Sequence, residues 1–356
     1  MQIFKIPLMN PAFTDEMKDA AICALESERF VLGESVFKFE EEFANYCGTK
    51  YAVAVSSGTS ALHLSLLSLG LAGKVITTPM SFIATANSIL HAGGVPVFAD
   101  IEEGTGNIDI ENLSTDGADG IMPVHLYGQP CEMDKILELK EEGLTVVEDA
   151  CQAHGAEYRG KKVGSIGDAG CFSFYPSKNM NVGGDGGMVT TNNEEISEKI
   201  RKLRDCGRKG KYEHDVVGYT HRLNTVNAAI GLVQLKYLDE WNEKRAKIAG
   251  IYRKLLPDKI LLAEKGHVKH VYHAFVIKVA KREKLAGHLR ESGIEVGVHY
   301  PLPIPLQPIY RELFGYKEGQ FPVAEKFCKE VLSLPIYPLL SKDEVEFVCE
   351  KINEFL

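Results

Sequence analysis

Leu144-Thr145-Val146-Val147-Glu148-Asp149 follows Gly143 and puts an acid at the end of a short, β-branched, apolar run. A run of that kind reads as a buried strand. An acid at the carboxyl end of a parallel strand stands where open α/β sheets hold their ligands. A second strand-like run, Cys171-Phe172-Ser173-Phe174-Tyr175, leads through Pro176-Ser177 to Lys178. Asn179, Asn181 and the glycines 183, 184, 186 and 187 come next. A lysine in a tight turn beside glycines can approach a flat ligand closely.

Outward from these two segments the pattern is regular. Strands are expected at 51–55, 75–78, 95–99, 121–124, 146–148, 171–174 and 187–190, with helices at 59–69, 82–91, 131–142 and 194–205 between or after them. Alternation of this kind predicts a mainly parallel sheet covered on both faces. Amphipathic helices at 14–28, capped by Thr14, and at 37–46 precede it. One long helix is expected over 225–255. Beyond Pro257 the pattern changes to strands at 272–279 and 294–298 and helices at 281–291, 323–331 and 342–354, an α+β layer. The expectation is a large domain, 1–250, and a small carboxy-terminal domain, 251–356.

The 356 residues suffice for two such cores. A formal net charge of −9 disfavours nonspecific binding to nucleic acid or to an anionic membrane. Any anionic ligand must then be held by a few placed cations and helix amino ends. The eight cysteines show no Cys-x-x-Cys and no Cys/His pairing, which fits a reducing compartment and gives no metal spacing. With no basic-then-apolar amino terminus and no apolar run of about 18 residues, a cytoplasmic location is expected.

Glu148-Asp149-Ala150-Cys151-Gln152-Ala153-His154-Gly155 and Phe172-Ser173-Phe174-Tyr175-Pro176-Ser177-Lys178-Asn179 resemble segments of the DegT/DnrJ/StrS family of sugar aminotransferases. So do Phe30-Val31-Leu32-Gly33, Ser56-Ser57-Gly58-Thr59-Ser60-Ala61-Leu62, Thr78-Pro79-Met80-Ser81-Phe82, Ala228-Ala229-Ile230-Gly231-Leu232, His299-Tyr300-Pro301 and Leu332-Ser333-Leu334-Pro335, in the family's order. The resemblance implies the pyridoxal-phosphate transferase fold of type I, pyridoxal 5'-phosphate as cofactor and pyridoxamine phosphate as its aminated form. It also implies a nucleotide-linked keto sugar as acceptor, an amino acid (glutamate is expected) as donor, and a homodimer with shared sites.

Residue by residue, the resemblance implies that Lys178 is the catalytic, imine-forming lysine and that Asp149 faces the pyridine nitrogen. A carboxylate there favours the protonated ring, which withdraws electrons from the reacting carbon. Gln152 is expected at the phenolic oxygen and Phe82 on the ring face. Gly58, Thr59 and Ser173 are expected at the phosphate, where helix amino ends and hydroxyls hold anions. Each has a plainer reading: a capped strand-to-helix turn for 56–60, core filler for Phe82, a packed histidine for His154. Lys161 and Lys162 read as solvated charges in an exposed turn.

Thr220 stands where many relatives carry the Asn that reaches the phosphate in the neighbouring subunit; Arg222 is the better-supported cross-subunit residue. His299 and Tyr300 are candidates on the substrate side, while Pro305 stands near the place of a frequent histidine. The form Gly218-Tyr219-x-x-Arg222-Leu223 resembles the family's C4 enzymes more than its C3 enzymes, which implies transfer at C4 of a 4-keto-6-deoxy sugar. The competing readings are another type I enzyme acting on an amino acid, and a non-enzymatic regulator on the same scaffold.

Overall fold

The computed structural model describes residues 5–356. Two amphipathic helices, α1 (Asp15–Ser27) and α2 (Glu34–Cys47), open the chain, and Thr14 caps the first by accepting from Met17 N–H. The central sheet then forms from β1 (Tyr51–Val55), β2 (Lys74–Thr77), β3 (Val95–Phe98), β4 (Ala118–Met122) and β5 (Thr145–Asp149). The helices between them are α3 (Gly58–Leu69), α4 (Ala84–His91) and α5 (Met133–Glu141). A hairpin, β6 (Glu157–Tyr158) and β7 (Lys161–Lys162), lies outside the sheet; β8 (Ala169–Ser173) and β9 (Gly187–Thr191) complete it.

The strand order is β1-β9-β8-β5-β4-β2-β3, with β9 antiparallel to both neighbours and the remaining pairs parallel. Strand alternation explains why both faces are covered. Val53, Val55 and Cys171 pack with Leu62, Leu66, Ile200 and Leu203 of α3 and α6 (Glu194–Arg204). Ala52, Ala54 and Phe172 point the other way, into a core with Phe39 and Phe43 of α2 and Leu238 of α7 (Thr225–Leu255). The parallel strands end on one edge, so Val55, Thr77 and Asp149 deliver their following loops to one place.

At 31 residues, α7 is about 46 Å long and runs from the sheet to a second layer. Its Ala228 and Leu238 belong to the core beneath the sheet, whereas its Ile248, Ala249 and Tyr252 belong to another. That second core gathers β11 (Phe275–Lys278), α8 (Arg282–Glu291), β12 (Val331–Leu334) and α11 (Lys342–Phe355), together with Ile6 from the amino-terminal segment. β10 (Val268–Lys269) joins the β6–β7 hairpin, and α9 (Pro308–Phe314) and α10 (Pro322–Glu330) precede β12.

Three local expectations are corrected. The segment 294–298 is not a strand: its backbone pairing is limited to the isolated bridges Ile6–Ile294 and Gly297–Ser333, although Ile294 and Val296 pack into the second core. The helix expected to reach 331 stops at Glu330, because Val331–Leu334 pairs antiparallel with β11 and is buried on both faces. Lys162 is not merely solvated: its ammonium lies 4.1 Å from the Tyr46 ring centroid and 3.6 Å from Glu157. Among the described residues no helix is long and apolar enough to cross a membrane.

Candidate active site

β1 ends at Val55, and Ser56 N–H is tied to His221 O at 2.8 Å. Ser57 caps α3 by accepting from Ser60 N–H at 3.1 Å, so the bland capping reading is correct as far as it goes. The N–H groups of Gly58 and Thr59 remain without a protein acceptor among the described residues. Gly58 is packed so closely that an added Cβ would lie 2.6 Å from Ser173 Cβ and 3.0 Å from Cys151 Sγ. A helix start with free N–H groups, a side-chain-free approach and the Ser173 hydroxyl beside it is a cradle for phosphate.

Asp149 is 3 % exposed, at the end of β5. One carboxylate oxygen accepts from Thr85 Oγ1 at 2.8 Å and the other from Cys151 N–H at 3.2 Å. Thr85 is itself held by Ser81 at 2.8 Å, one turn earlier. The carboxylate is therefore fixed in orientation, with no cation in a salt bridge to it among the described residues.

Lys178 sits in a turn closed by its own N–H to Tyr175 O at 2.9 Å. The neighbouring Asn179 anchors that turn, donating to Asn242 Oδ1 of α7 and to Val271 O, both at 2.8 Å. Burial pushes the Lys178 ammonium below its ordinary pKa, and the Cys151 and Asp149 groups nearby oppose this. A lysine so placed yields its proton more readily than one in water.

Gln152 is oriented by Tyr127, whose N–H donates to Gln152 Oε1 at 2.9 Å. This leaves the amide NH2 side toward the cleft, 3.4 Å from Tyr300 OH. Tyr127 OH donates to His299 O, and His299 Nδ1 meets Ser333 Oγ at 2.9 Å. Burial, and then Lys178, hold the His299 imidazole below its usual pKa. Phe82 precedes α4 instead of opening it, is 58 % exposed, and has its ring 6.2 Å from Tyr300.

One cleft of about 1230 Å³ is lined by Gly58, Thr59, Phe82, Asp149, Gln152, Ser173, Lys178, His299 and Tyr300, nine of the residues expected from sequence. Thr220 and Arg222 are not brought there. Thr220 is exposed, and Arg222, whose backbone bridges to Val55 at the end of β1, donates to Asp205 Oδ1 at 2.6 Å in a part-buried pair. His154 lies outside the cleft lining, packed against Phe172 and Phe174; burial drives it down to about 3, and neither ring nitrogen has a partner among the described residues. Sequence reading missed Thr85, Tyr127 and His273. Thr85 alone left a trace, four residues after Ser81 and thus on the same helical face.

The donor set fits pyridoxal phosphate: a locked carboxylate, a buried lysine, an anion cradle and an aromatic edge surround one space. Comparison with known proteins agrees. Residues 11–353 match the DegT/DnrJ/EryC1/StrS aminotransferase family. A protein of Geobacillus stearothermophilus named pleiotropic regulatory protein is 45 % identical over 93 % of this chain and 92 % of its own. The dTDP-3-amino-3,6-dideoxy-alpha-D-galactopyranose transaminase of Aneurinibacillus thermoaerophilus is 41 % identical over 98 % of this chain and 97 % of its own. Among solved structures, S. venezuelae DesV, crystallised in complex with a ketimine intermediate, superposes with a TM-score of 0.92 at 38 % identity, covering 96 % of this chain and 94 % of that one. The chain belongs to the DegT/DnrJ/EryC1/StrS family, and is with it a pyridoxal-phosphate-dependent sugar aminotransferase.

Proposed function

We propose that the chain moves an amino group from an amino acid, glutamate in the first instance, to the keto carbon of a nucleotide-linked sugar. The observation that carries this reading is that Asp149 and Lys178, from separate strand ends, line the same cleft. When bound, pyridoxal phosphate supplies the electron sink that stabilises negative charge at the reacting carbon.

The residues then divide the work. Gly58 N–H, Thr59 and Ser173 hold the phosphate at the start of α3. Asp149, kept in register by Thr85 and Cys151 N–H, would favour the protonated form of the pyridine nitrogen. Gln152 offers its NH2 to the phenolic oxygen because Tyr127 occupies its carbonyl oxygen. Phe82, on the cleft wall, would cover one side of the ring. Lys178 Nζ, its proton loosened by burial, removes and returns the proton at the carbon that gains or loses the amine. His299 and Tyr300 face the sugar side. Thr220 and Arg222, absent from the lining of their own cleft, would serve the neighbouring subunit's phosphate in a homodimer.

Two observations bear on the ring position. The Gly218-to-Leu223 form supports C4. The relative named as a 3-amino sugar transaminase, and a second from Streptomyces venezuelae named for dTDP-3-amino-3,4,6-trideoxy-alpha-D-glucose at 39 % identity, support C3. The C3 argument draws on nearly the whole chain, the C4 argument on six residues. Incubation of the loaded protein with glutamate and paired 3-keto and 4-keto nucleotide sugars, read by product mass and by the position of the new amine, tests the reading. Failure to aminate any keto sugar while reacting with amino acids would leave the other type I reading.

A further inference from the structure

A recess of about 490 Å³ opens off the cleft, sharing Gln152, Ser177, His273, His299 and Tyr300 with it. It lies where the amino-terminal segment (Leu8, Met9), the sheet loops and the second layer (Ile336) meet. It does not include Gly58 or Thr59, so it is separate from the phosphate cradle. It is walled partly by Leu8, Met9 and Ile336, and no carboxylate lines it.

His273 has no use in the reading given above, yet it lines both spaces. Its imidazole makes no hydrogen bond to the protein through either nitrogen among the described residues, and Nδ1 is fully buried. Behind the recess stands Arg245, 6 % exposed and without a carboxylate partner among the described residues. Its guanidinium donates only to Tyr272 O at 3.3 Å and Ile336 O at 2.8 Å, and Nε has no partner. Burial alone lowers it, to about 10, so it stays charged near neutrality. Lys178, Arg245 and His299 all press on His273, which burial already holds well below its ordinary value. A buried cation, a second cation nearby and an unpartnered N–H group around a space free of acids form a surplus of positive potential. Buried polar groups left in that condition are costly unless a ligand completes them.

We propose that this recess is the subsite for the carboxylate of the amino-acid donor, with His273 donating a hydrogen bond to it and Arg245 supplying the charge behind. The assignment rests on the reading that the donor is an amino acid. A carboxylate suits the place better than a sugar hydroxyl, because only an anion answers the unpaired charge. The apolar walls formed by Leu8, Met9 and Ile336 suit a short methylene chain. The recess begins at Ser177, next to the residue that handles the transferred amine.

The test uses glutarate, which has the donor's carboxylates and no amine, titrated calorimetrically into the cofactor-loaded protein, beside His273→Leu and His273→Gln. Retention of the cofactor's visible band in both variants verifies folding. His273→Leu should weaken glutarate by about tenfold or more, the worth of a charge-assisted hydrogen bond, and His273→Gln, which keeps an N–H donor, should recover most of it. In single-turnover measurements the Leu variant should lose much more in the glutamate half-reaction than in the keto-sugar half-reaction. No glutarate binding by the unaltered protein, equal binding by the Leu variant, or equal losses in the two half-reactions would each overturn the subsite. If glutarate binds in a His273-dependent way but no amino acid changes the cofactor spectrum, the amino-acid-donor reading fails and the carboxylate site stands.

Discussion

Thr85 Oγ1 donates to Asp149 Oδ2 at 2.8 Å, joining the first turns of α4 to the end of β5 across the sheet edge. The bond fixes which carboxylate oxygen faces the cleft. Asp149→Asn keeps the shape and removes the charge, and should lower kcat by about a hundredfold or more, as losses of fixed electrostatic stabilisation do. Thr85→Val keeps the charge and frees its orientation, and should cost about tenfold, with Thr85→Ser near the parent. Steady-state kinetics at saturating cofactor separates the two; an Asn variant with parental kcat would remove Asp149 from the proposed role.

Lys178→Ala should abolish turnover and the covalent label that borohydride leaves on the loaded protein, with peptide mapping as the readout. A second consequence concerns stability. The folded pKa of Lys178 lies below the unfolded value, so between the two the unfolded chain holds the extra proton. Stability therefore falls as pH drops through that window and the cost is fully present below the folded pKa. Lys178→Met should stabilise the cofactor-free protein most below that window, and the gain should fade as pH rises toward the ordinary lysine value of 10.5. Thermal unfolding of both forms across pH is the measurement.

Gly58→Ala places a methyl group 2.6 Å from Ser173 Cβ, where real contacts of that kind do not occur. The start of α3 must shift, and overpacking of this sort costs about 1–3 kcal/mol. The loss should be greater in cofactor affinity than in the apo protein's melting temperature, because the free Gly58 and Thr59 N–H groups move with the backbone. Fluorescence titration with pyridoxal phosphate would show it.

How much of this was legible beforehand depends on the range of the interaction. Strands 51–55, 146–148 and 171–174 announce themselves through local apolar runs, and the observed β1, β5 and β8 carry Gly58, Asp149 and Ser173 into one cleft. The orientation of Gln152 was invisible, because it comes from Tyr127 N–H, which only the folded loops bring near. His273 lay unnoticed within what read as strand 272–279, since nothing local tells a histidine without partners from one packed in a core. Val331–Leu334 was hidden for the opposite reason: buried on both faces, it lacks the alternation by which strands are read. The proposed pairing of Thr220 and Arg222 with a second subunit has no signal in a single chain beyond their absence from the lining of their own cleft.

That last point admits a direct test. If Arg222 completes the site of its partner, Arg222→Ala and Lys178→Ala should each be inactive alone. A dimer of one chain of each kind then contains one site with an intact lysine from the first chain and an intact arginine from the second; its other site lacks both. Unfolding and refolding an equal mixture makes half of the dimers mixed, so activity should return to roughly a quarter of the parental value. Recovery to that level requires an exchange of residues across the interface. No recovery, with mixed dimers verified by mass spectrometry, would mean that Arg222 acts only within its own chain, through its bond to Asp205.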